Sequence, residues 1–130
     1  MTRLKRGTIR EDGFLLNGYN KSGKEHWVSP EFWKEINDKS KKTRWKNKLT
    51  VINAYGGKCS GCGELDPVVL TIDHVFNDGK NHVDSKGRRI TGNQLYSEII
   101  KNNFPDRFQI LCCNCNQRKE LIRRGTYCGE

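Results

Sequence analysis

Apolar positions in the first half of the chain predict a hairpin followed by a long helix. Residues 13–19 and 25–28 are short runs with aromatic and β-branched side chains, separated by turn-forming residues, a pattern typical of two paired strands. Ser29 precedes Pro30, which suits a helix start. Apolar residues then recur at roughly helical spacing, so we predict a helix to about Ala54, with a break near residues 37–38.

The second half predicts two strands and two further helices. Residues 68–72 and 108–111 are apolar runs with β-branched members, and we expect them to pair antiparallel. Residues 93–101 place their apolar side chains on one side of a helix. A last helix is expected from Asn114 or Cys115 to about Arg123. Together these elements predict an α+β fold.

The length of 130 residues fits one modest domain or a small domain with an appended arm. We divide it into residues 1–57, containing the hairpin and helix, and residues 58–130. Residues 1–10 are basic and predict a flexible arm. No apolar run reaches the length of a membrane span, so we expect a protein of the cytoplasm.

Two CxxC pairs, at 59–62 and 112–115, predict a structural zinc site. Four thiolates are the number that tetrahedral zinc requires. Six cysteines without a secretion signal favour metal binding over disulfides. The expected ligands are Cys59, Cys62, Cys112 and Cys115. The remaining cysteines, Cys113 and Cys128, are expected to be a buried thiol and a tail thiol, with Cys128 a substitute ligand if one of the four is wrong.

Asp73 and His74 follow an apolar strand between the two cysteine pairs. Asn116 follows the last cysteine of the second pair. A carboxylate, an imidazole and an amide could converge there on a second metal with oxygen ligands, which is the outline of a nuclease. The alternative is an ordinary strand-end pair without a catalytic role.

The order CxxC, then Asp-His at a strand end, then Leu-Cys-x-x-Cys-Asn opening a helix resembles the HNH (ββα-metal) endonucleases. The variant with a terminal Asn, found in proteins of the phage recombination endonuclease VII type, is the most similar, over residues 58–124. The resemblance implies a ββα-metal core with a structural zinc and a phage origin. It also implies metal-dependent hydrolysis of DNA phosphodiesters, with Asp73 and Asn116 holding one Mg²⁺ or Mn²⁺ and His74 as general base.

The chain departs from this family at one position. Many members have an Asn five residues before the second cysteine pair, where it braces the catalytic loop, but this chain has Arg107. Asn77, Asn81 or a backbone carbonyl could take that role. His82 is expected either to support the metal or scissile phosphate or to be a solvated loop histidine.

The formal charge of +9, from 24 Lys and Arg against 15 Asp and Glu, favours a nucleic-acid partner over a merely solvated basic surface. We therefore expect double-stranded DNA as the partner and phosphate contacts from basic side chains of the long helix, the central loop and the last helix. Trp45, among the helix cations, is assigned to the core. The expected DNA-contacting residues are Lys41, Lys42, Arg44, Lys46, Lys48, Arg88, Arg89, Arg118, Lys119 and Arg123.

Two other functions compete with the nuclease. A non-catalytic zinc module could bind nucleic acid through the same cations, and an accessory protein could dock on a partner such as a phage packaging motor. A homodimer is possible for the nuclease, because one active site cuts one strand. Sequence preference and oligomeric state are left open by these residues.

Overall fold

The computed structural model describes residues 2–126, which form a mixed α+β protein with two small antiparallel sheets. Two compact units are found, residues 2–43 and residues 44–126. The division falls inside the long helix. None of the helices formed by the described residues combines the length and apolar sequence that crossing a bilayer requires.

The first unit contains the predicted hairpin. Strand β1, Leu15–Tyr19, pairs antiparallel with β2, Glu25–Val28. The preceding segment is not the flexible arm that its basic sequence predicted. A β-bridge joins Ile9 to Leu15, and the Gly7 N–H donates to the Leu16 carbonyl at 2.9 Å. These backbone hydrogen bonds hold the segment along the hairpin.

Helix α1, Pro30–Ala54, is continuous, so the predicted break near residues 37–38 is wrong. The capping prediction is confirmed, because the Ser29 Oγ accepts from the Phe32 N–H at 3.2 Å. At the other end the Gly57 N–H donates to the Ile52 carbonyl at 2.8 Å. Gly56 and Gly57, which follow the helix, both have positive φ. Glycine adopts that conformation readily, which ends the helix where it was expected.

The second unit is built on strands β3, Leu70–His74, and β4, Phe108–Cys112, which pair antiparallel as predicted. Strand β3 begins two residues later than expected and includes Asp73 and His74. The Asp66 carboxylate accepts from the Val68 N–H at 2.9 Å, which holds that residue in a turn and delays the strand.

Two helices pack with this sheet. Helix α2, Gly92–Lys101, and helix α3, Cys113–Arg124, confirm the predicted helices within a residue or two. The segment between β3 and α2, predicted as a loop, contains one 3-10 turn, Gly79–Asn81, and a β-bridge between Val83 and Arg89.

Two groups of buried side chains meet at the β3–β4 sheet. One contains Ile52, Leu70 and Ile110 beside the cysteines. The other surrounds Phe108 and Ile99. Trp45 does not reach either group: it is 42% exposed, and the Lys48 ammonium lies over its ring. Its assignment to the core was wrong. The sheet therefore connects a cysteine cluster at one end with the end of β3 at the other.

Candidate functional site

The two CxxC pairs converge as predicted. The four sulfur atoms of Cys59, Cys62, Cys112 and Cys115 all lie within 4.8 Å of one another. The Sγ atoms of Cys62 and Cys112 are 3.7 Å apart. Tetrahedral zinc with Zn–S bonds of about 2.3 Å requires sulfurs about 3.8 Å apart. The donor set and spacing therefore fit a structural zinc ion.

Backbone amides shape both halves of the cysteine cluster. The Gly61 and Cys62 N–H groups donate to the Cys59 sulfur at 3.3 and 3.5 Å, and the Cys115 N–H donates to the Cys112 sulfur at 3.4 Å. Gly61 avoids crowding in the cluster, because a Cβ there would make a tight contact of 3.0 Å with the Cys115 sulfur. The local sequence thus preorganises the sulfurs around one point.

The electrostatics of the cluster also favour a bound cation. Burial raises the pKa of the Cys59 thiol, but surrounding backbone N–H donors lower it to about 6. Hydrogen bonds with Cys112 and Cys59 instead raise the pKa of Cys115 to about 12. Without a cation, four neighbouring sulfurs resist ionising together because their negative charges repel. A metal ion removes that penalty.

The remaining cysteines lie apart from this cluster. Cys113 begins α3 and is exposed, so the expectation that it is a buried thiol is wrong. Its backbone N–H donates to the Val69 carbonyl at 3.0 Å, and its sulfur is not among the four that converge. Cys128 lies outside the described residues.

A cavity of about 530 Å³ lies at the end of β3. Asp73, His74 and Asn116, the three residues of the predicted catalytic group, all border it. Successive strand residues point to opposite faces, but β3 ends at His74, whose carbonyl accepts from the Asn77 N–H at 3.0 Å. Asn77 has a φ of 58°. This turn lets both neighbours reach one cavity.

The Asp73 carboxylate is held by two side chains. Its Oδ2 accepts from the Lys119 ammonium at 2.5 Å and from the Gln109 amide at 2.8 Å. Lys119 also donates to the His74 carbonyl at 3.0 Å. Gln109 can do this because it is the β4 residue paired directly with Asp73. Lys119, predicted among the DNA-contacting cations, thus points into the site and neutralises its carboxylate.

The Asn116 amide is oriented by Thr71. The Thr71 hydroxyl donates to the Leu111 carbonyl at 2.9 Å, so its oxygen accepts from the Asn116 Nδ2 at 3.2 Å. Because the amide nitrogen is engaged by Thr71, the Oδ1 is the Asn116 atom that remains as a possible ligand oxygen.

His74 is the start of a chain of polar contacts into the protein. Its Nε2 lies 3.1 Å from the Nδ1 of His82, whose Nε2 lies 2.7 Å from the Oε1 of Glu98. His82 is only 8% exposed, so the alternative of a solvated loop histidine is wrong. Burial lowers the pKa of His74, with the nearby Asp78 acting in the opposite direction. His74 therefore favours the neutral state, which can accept a proton.

Arg107 makes two contacts with the turn after β3. Its guanidinium donates to the Asp78 carboxylate at 2.8 Å, and its carbonyl accepts from the Val75 N–H at 2.9 Å. Both contacts hold the turn after β3. The side chain that contacts a ring nitrogen of His74 is His82, which the sequence did not predict.

The nine predicted DNA-contacting cations other than Lys119 lie at the cavity, elsewhere in the second unit, or on α1. Arg89 and Arg123 border the cavity, together with Lys80 and Arg124. Arg88 is paired with Asp84 at 2.9 Å, and Arg118 is exposed on α3. On α1, Lys41 and Lys42 are exposed in the first unit, and Arg44, Lys46 and the half-buried Lys48 belong to the second.

Glu120 partly neutralises the positive charge of Arg123 and Arg124 on α3. Its carboxylate accepts from Arg123 and Arg124, and these hydrogen bonds lower the pKa of Glu120 to about 2. Glu120 therefore stays ionised and orders the two guanidinium groups at the cavity rim.

The sequence did not predict three residues that contact the residues of the site: Thr71, Gln109 and Glu98. Strand pairing was predicted, but not the register that sets Gln109 opposite Asp73. Glu98 stands beside buried Ile99 on α2, and a lone acidic residue next to an apolar helix face was the only available signal.

Comparisons with protein-family models, curated proteins and solved structures find no match to this chain.

Proposed function

We propose that this protein is a metal-dependent DNA endonuclease of the HNH type, with His74 as general base and Asp73 and Asn116 as ligands of one divalent cation. The observation that supports the proposal is a single cavity bordered by a histidine, a carboxylate and a primary amide and rimmed by cations. Each of these groups has a separate task in phosphodiester hydrolysis.

His74 would take the proton from the attacking water. Burial lowers its pKa, which favours the neutral ring, and His74 borders a cavity that water can enter. The ring is held in place by Phe108, whose centroid lies 5.0 Å away, and by His82. A base with a fixed orientation loses less entropy on reaching the transition state.

The ligand set fits Mg²⁺ or Mn²⁺, which prefer oxygen donors. The Asp73 Oδ2 accepts hydrogen bonds from Lys119 and Gln109, so Oδ1 is the carboxylate oxygen that would bind the metal. Because Thr71 accepts from the Asn116 Nδ2, the Asn116 Oδ1 is directed away from Thr71. When bound, such a cation supplies positive charge that stabilises the phosphate and the departing 3′ oxygen. The products would carry a 5′ phosphate and a 3′ hydroxyl.

The cations of the cavity rim would bind the DNA backbone. Arg89 and Arg123 carry guanidinium groups that match phosphate geometry, and Lys80 adds a point charge. Because these contacts are made to phosphates, the affinity for double-stranded DNA should fall steeply with salt.

A non-catalytic zinc module that binds nucleic acid is the second candidate. The contact between Lys119 and Asp73 favours it, because an ammonium group already neutralises the carboxylate that would hold the metal. Under this function the cysteines and exposed cations would matter, whereas Asp73, His74 and Asn116 would be dispensable.

Plasmid conversion separates the two candidates. Zinc-loaded wild type, His74→Ala and Asn116→Ala would be incubated with supercoiled plasmid, with and without Mg²⁺ or Mn²⁺. His26→Ala is the matched control, because that histidine is exposed on β2. We expect metal-dependent nicking by wild type and the control, and loss of nicking in the other two variants.

A wild type that shifts the plasmid on a gel but leaves it intact would contradict the nuclease and favour the binding module. The ratio of nicked to linear product would also show whether one protomer or a pair acts at each cut.

A further inference from the structure

The Glu98 carboxylate lies at the far end of a three-residue hydrogen-bonded chain that leads to His74. Glu98 Oε1 lies 2.7 Å from the His82 Nε2, and the His82 Nδ1 lies 3.1 Å from the His74 Nε2. The His82 side chain is 9% exposed and that of Glu98 31%. Because His82 is shielded from water, these neighbours decide which of its nitrogens carries hydrogen.

The Glu98 carboxylate determines which atoms donate and which accept along the three-residue hydrogen-bonded chain. An ionised carboxylate accepts hydrogen bonds and cannot donate them, so the His82 Nε2 must carry the hydrogen. In a neutral imidazole the other nitrogen is then an acceptor. The His82 Nδ1 accepts, and the His74 Nε2 must be the donor. In neutral His74 this leaves Nδ1 without hydrogen.

The free nitrogen of His74 lies beside Gly79 at the border of the cavity. Gly79, which borders the same cavity as His74, lies beside it: a Cβ at Gly79 would be 2.9 Å from the His74 Nδ1 and 3.2 Å from Cε1. Real Cβ atoms do not approach so closely, so any other residue would fill the space in front of Nδ1. Glycine keeps this side of the ring clear of a side chain, so a small group in the cavity, such as the water that a general base activates, can approach Nδ1.

We propose that Glu98 is a positioning residue that sets the tautomers of His82 and His74, so that His74 presents the lone pair of Nδ1 to the space beside Gly79. The proposal rests on the nuclease function for its catalytic consequence, but the hydrogen-bonded chain can be tested without activity. Glu98 touches neither the cavity nor a reacting atom, and acts through the two rings.

The tautomers can be observed directly by NMR. Long-range ¹H–¹⁵N spectra of the zinc-loaded, ¹⁵N-labelled protein would be recorded at about pH 8, well above the ordinary histidine pKa of about 6.5. The chain has three histidines, and His26→Gln identifies the third. We expect both His74 and His82 to carry hydrogen on Nε2. A His74 ring with hydrogen on Nδ1 would overturn the proposal.

Two variants of similar size test the role of Glu98. Glu98→Gln keeps an oxygen acceptor for the His82 Nε2–H, whereas Glu98→Met removes it and leaves a buried donor without a partner. We expect the glutamine variant to keep the wild-type tautomers and nick plasmid within about threefold of wild type. We expect the methionine variant to show mixed tautomers and to nick at least about tenfold more slowly, below the loss from removing the base.

The outcomes distinguish this proposal from the nuclease function. Equal tautomers or equal nicking rates in the two variants would overturn the positioning role, and if Glu98→Met does not fold, the wild-type spectrum still decides. If wild type does not nick DNA at all, the nuclease function fails. The spectra then decide alone whether Glu98 sets the two tautomers.

Discussion

Asn116 donates its side-chain amide to the hydroxyl of Thr71 at 3.2 Å, across the interface between α3 and β3. The same hydroxyl donates to the Leu111 carbonyl on β4, so the orientation of the amide depends on both strands. A residue that sequence reasoning treated as an ordinary strand member thus determines which atom of Asn116 is free.

Replacing Thr71 tests this orientation. We expect Thr71→Val to raise the Mg²⁺ or Mn²⁺ concentration needed for half-maximal nicking by about 10-fold to 100-fold, the usual effect of losing a group that orients a metal ligand. Thr71→Ser keeps the hydroxyl and should stay near wild type. Metal titrations of plasmid nicking measure the difference. Equal metal requirements in both variants would show that Thr71 does not orient Asn116.

Removing zinc should unfold the second unit. The cluster has its four sulfurs within 4.8 Å of one another, and without metal these ionisable groups lose their common partner. We expect Cys59→Ser to lower the free energy of unfolding by about 3 kcal/mol or more. Urea denaturation and zinc content measure this.

Cys113→Ser is the matched control for the zinc prediction, because that cysteine is exposed and outside the cluster. It should retain one zinc per chain and wild-type stability. A zinc content that falls as much in Cys113→Ser as in Cys59→Ser would contradict the assigned ligand set.

Gly79→Ala should reduce nicking without unfolding the protein. The added methyl group would lie 2.9 Å from the His74 Nδ1 and 3.4 Å from an Arg89 nitrogen, so it would displace the ring or exclude water from it. We expect a loss of up to about 10²–10⁴-fold, the range of general-base contributions. Thermal unfolding and zinc content should remain close to wild type. Full activity in this variant would place the attacking water elsewhere.

Lys119→Met should strengthen binding of a divalent cation in the absence of DNA. The Lys119 ammonium lies 2.5 Å from the Asp73 Oδ2, and removing its charge removes repulsion toward an incoming cation. We expect the dissociation constant for Mn²⁺ to fall at least about fivefold. Lys119→Arg, which keeps the charge, is the control. Titration calorimetry on zinc-loaded protein measures both, and unchanged affinity in Lys119→Met would contradict the prediction.

Most secondary structure followed from patterns a few residues long. Ser29 and Pro30 predicted where α1 begins, and the helical spacing of apolar residues predicted its end near Ala54. The errors have local causes that residue type alone does not reveal. Asp66 holds Val68 in a turn and delays β3, and backbone hydrogen bonds to the hairpin order the basic segment before it.

The part of the candidate site that could be predicted consists of residues with a recognisable spacing or position in the sequence. The CxxC pairs predicted the cysteine cluster, and the position of Asp73 and His74 at a strand end predicted their shared cavity. Contacts that depend on strand register or on a distant helix were not predictable. The position of Glu98 beside His82 requires knowledge of how α2 packs near β3.

The distance along the chain between the two halves of the cysteine cluster has a consequence for folding. Cys62 and Cys112 are 50 residues apart, so a zinc ion held by both halves closes a loop that includes β3, α2 and β4. Closing a loop of that length in an unfolded chain costs about 4 kcal/mol of entropy. The metal would therefore be captured late, after the strands have paired, and would hold the start of β3, where Leu70 pairs with Cys112, in place.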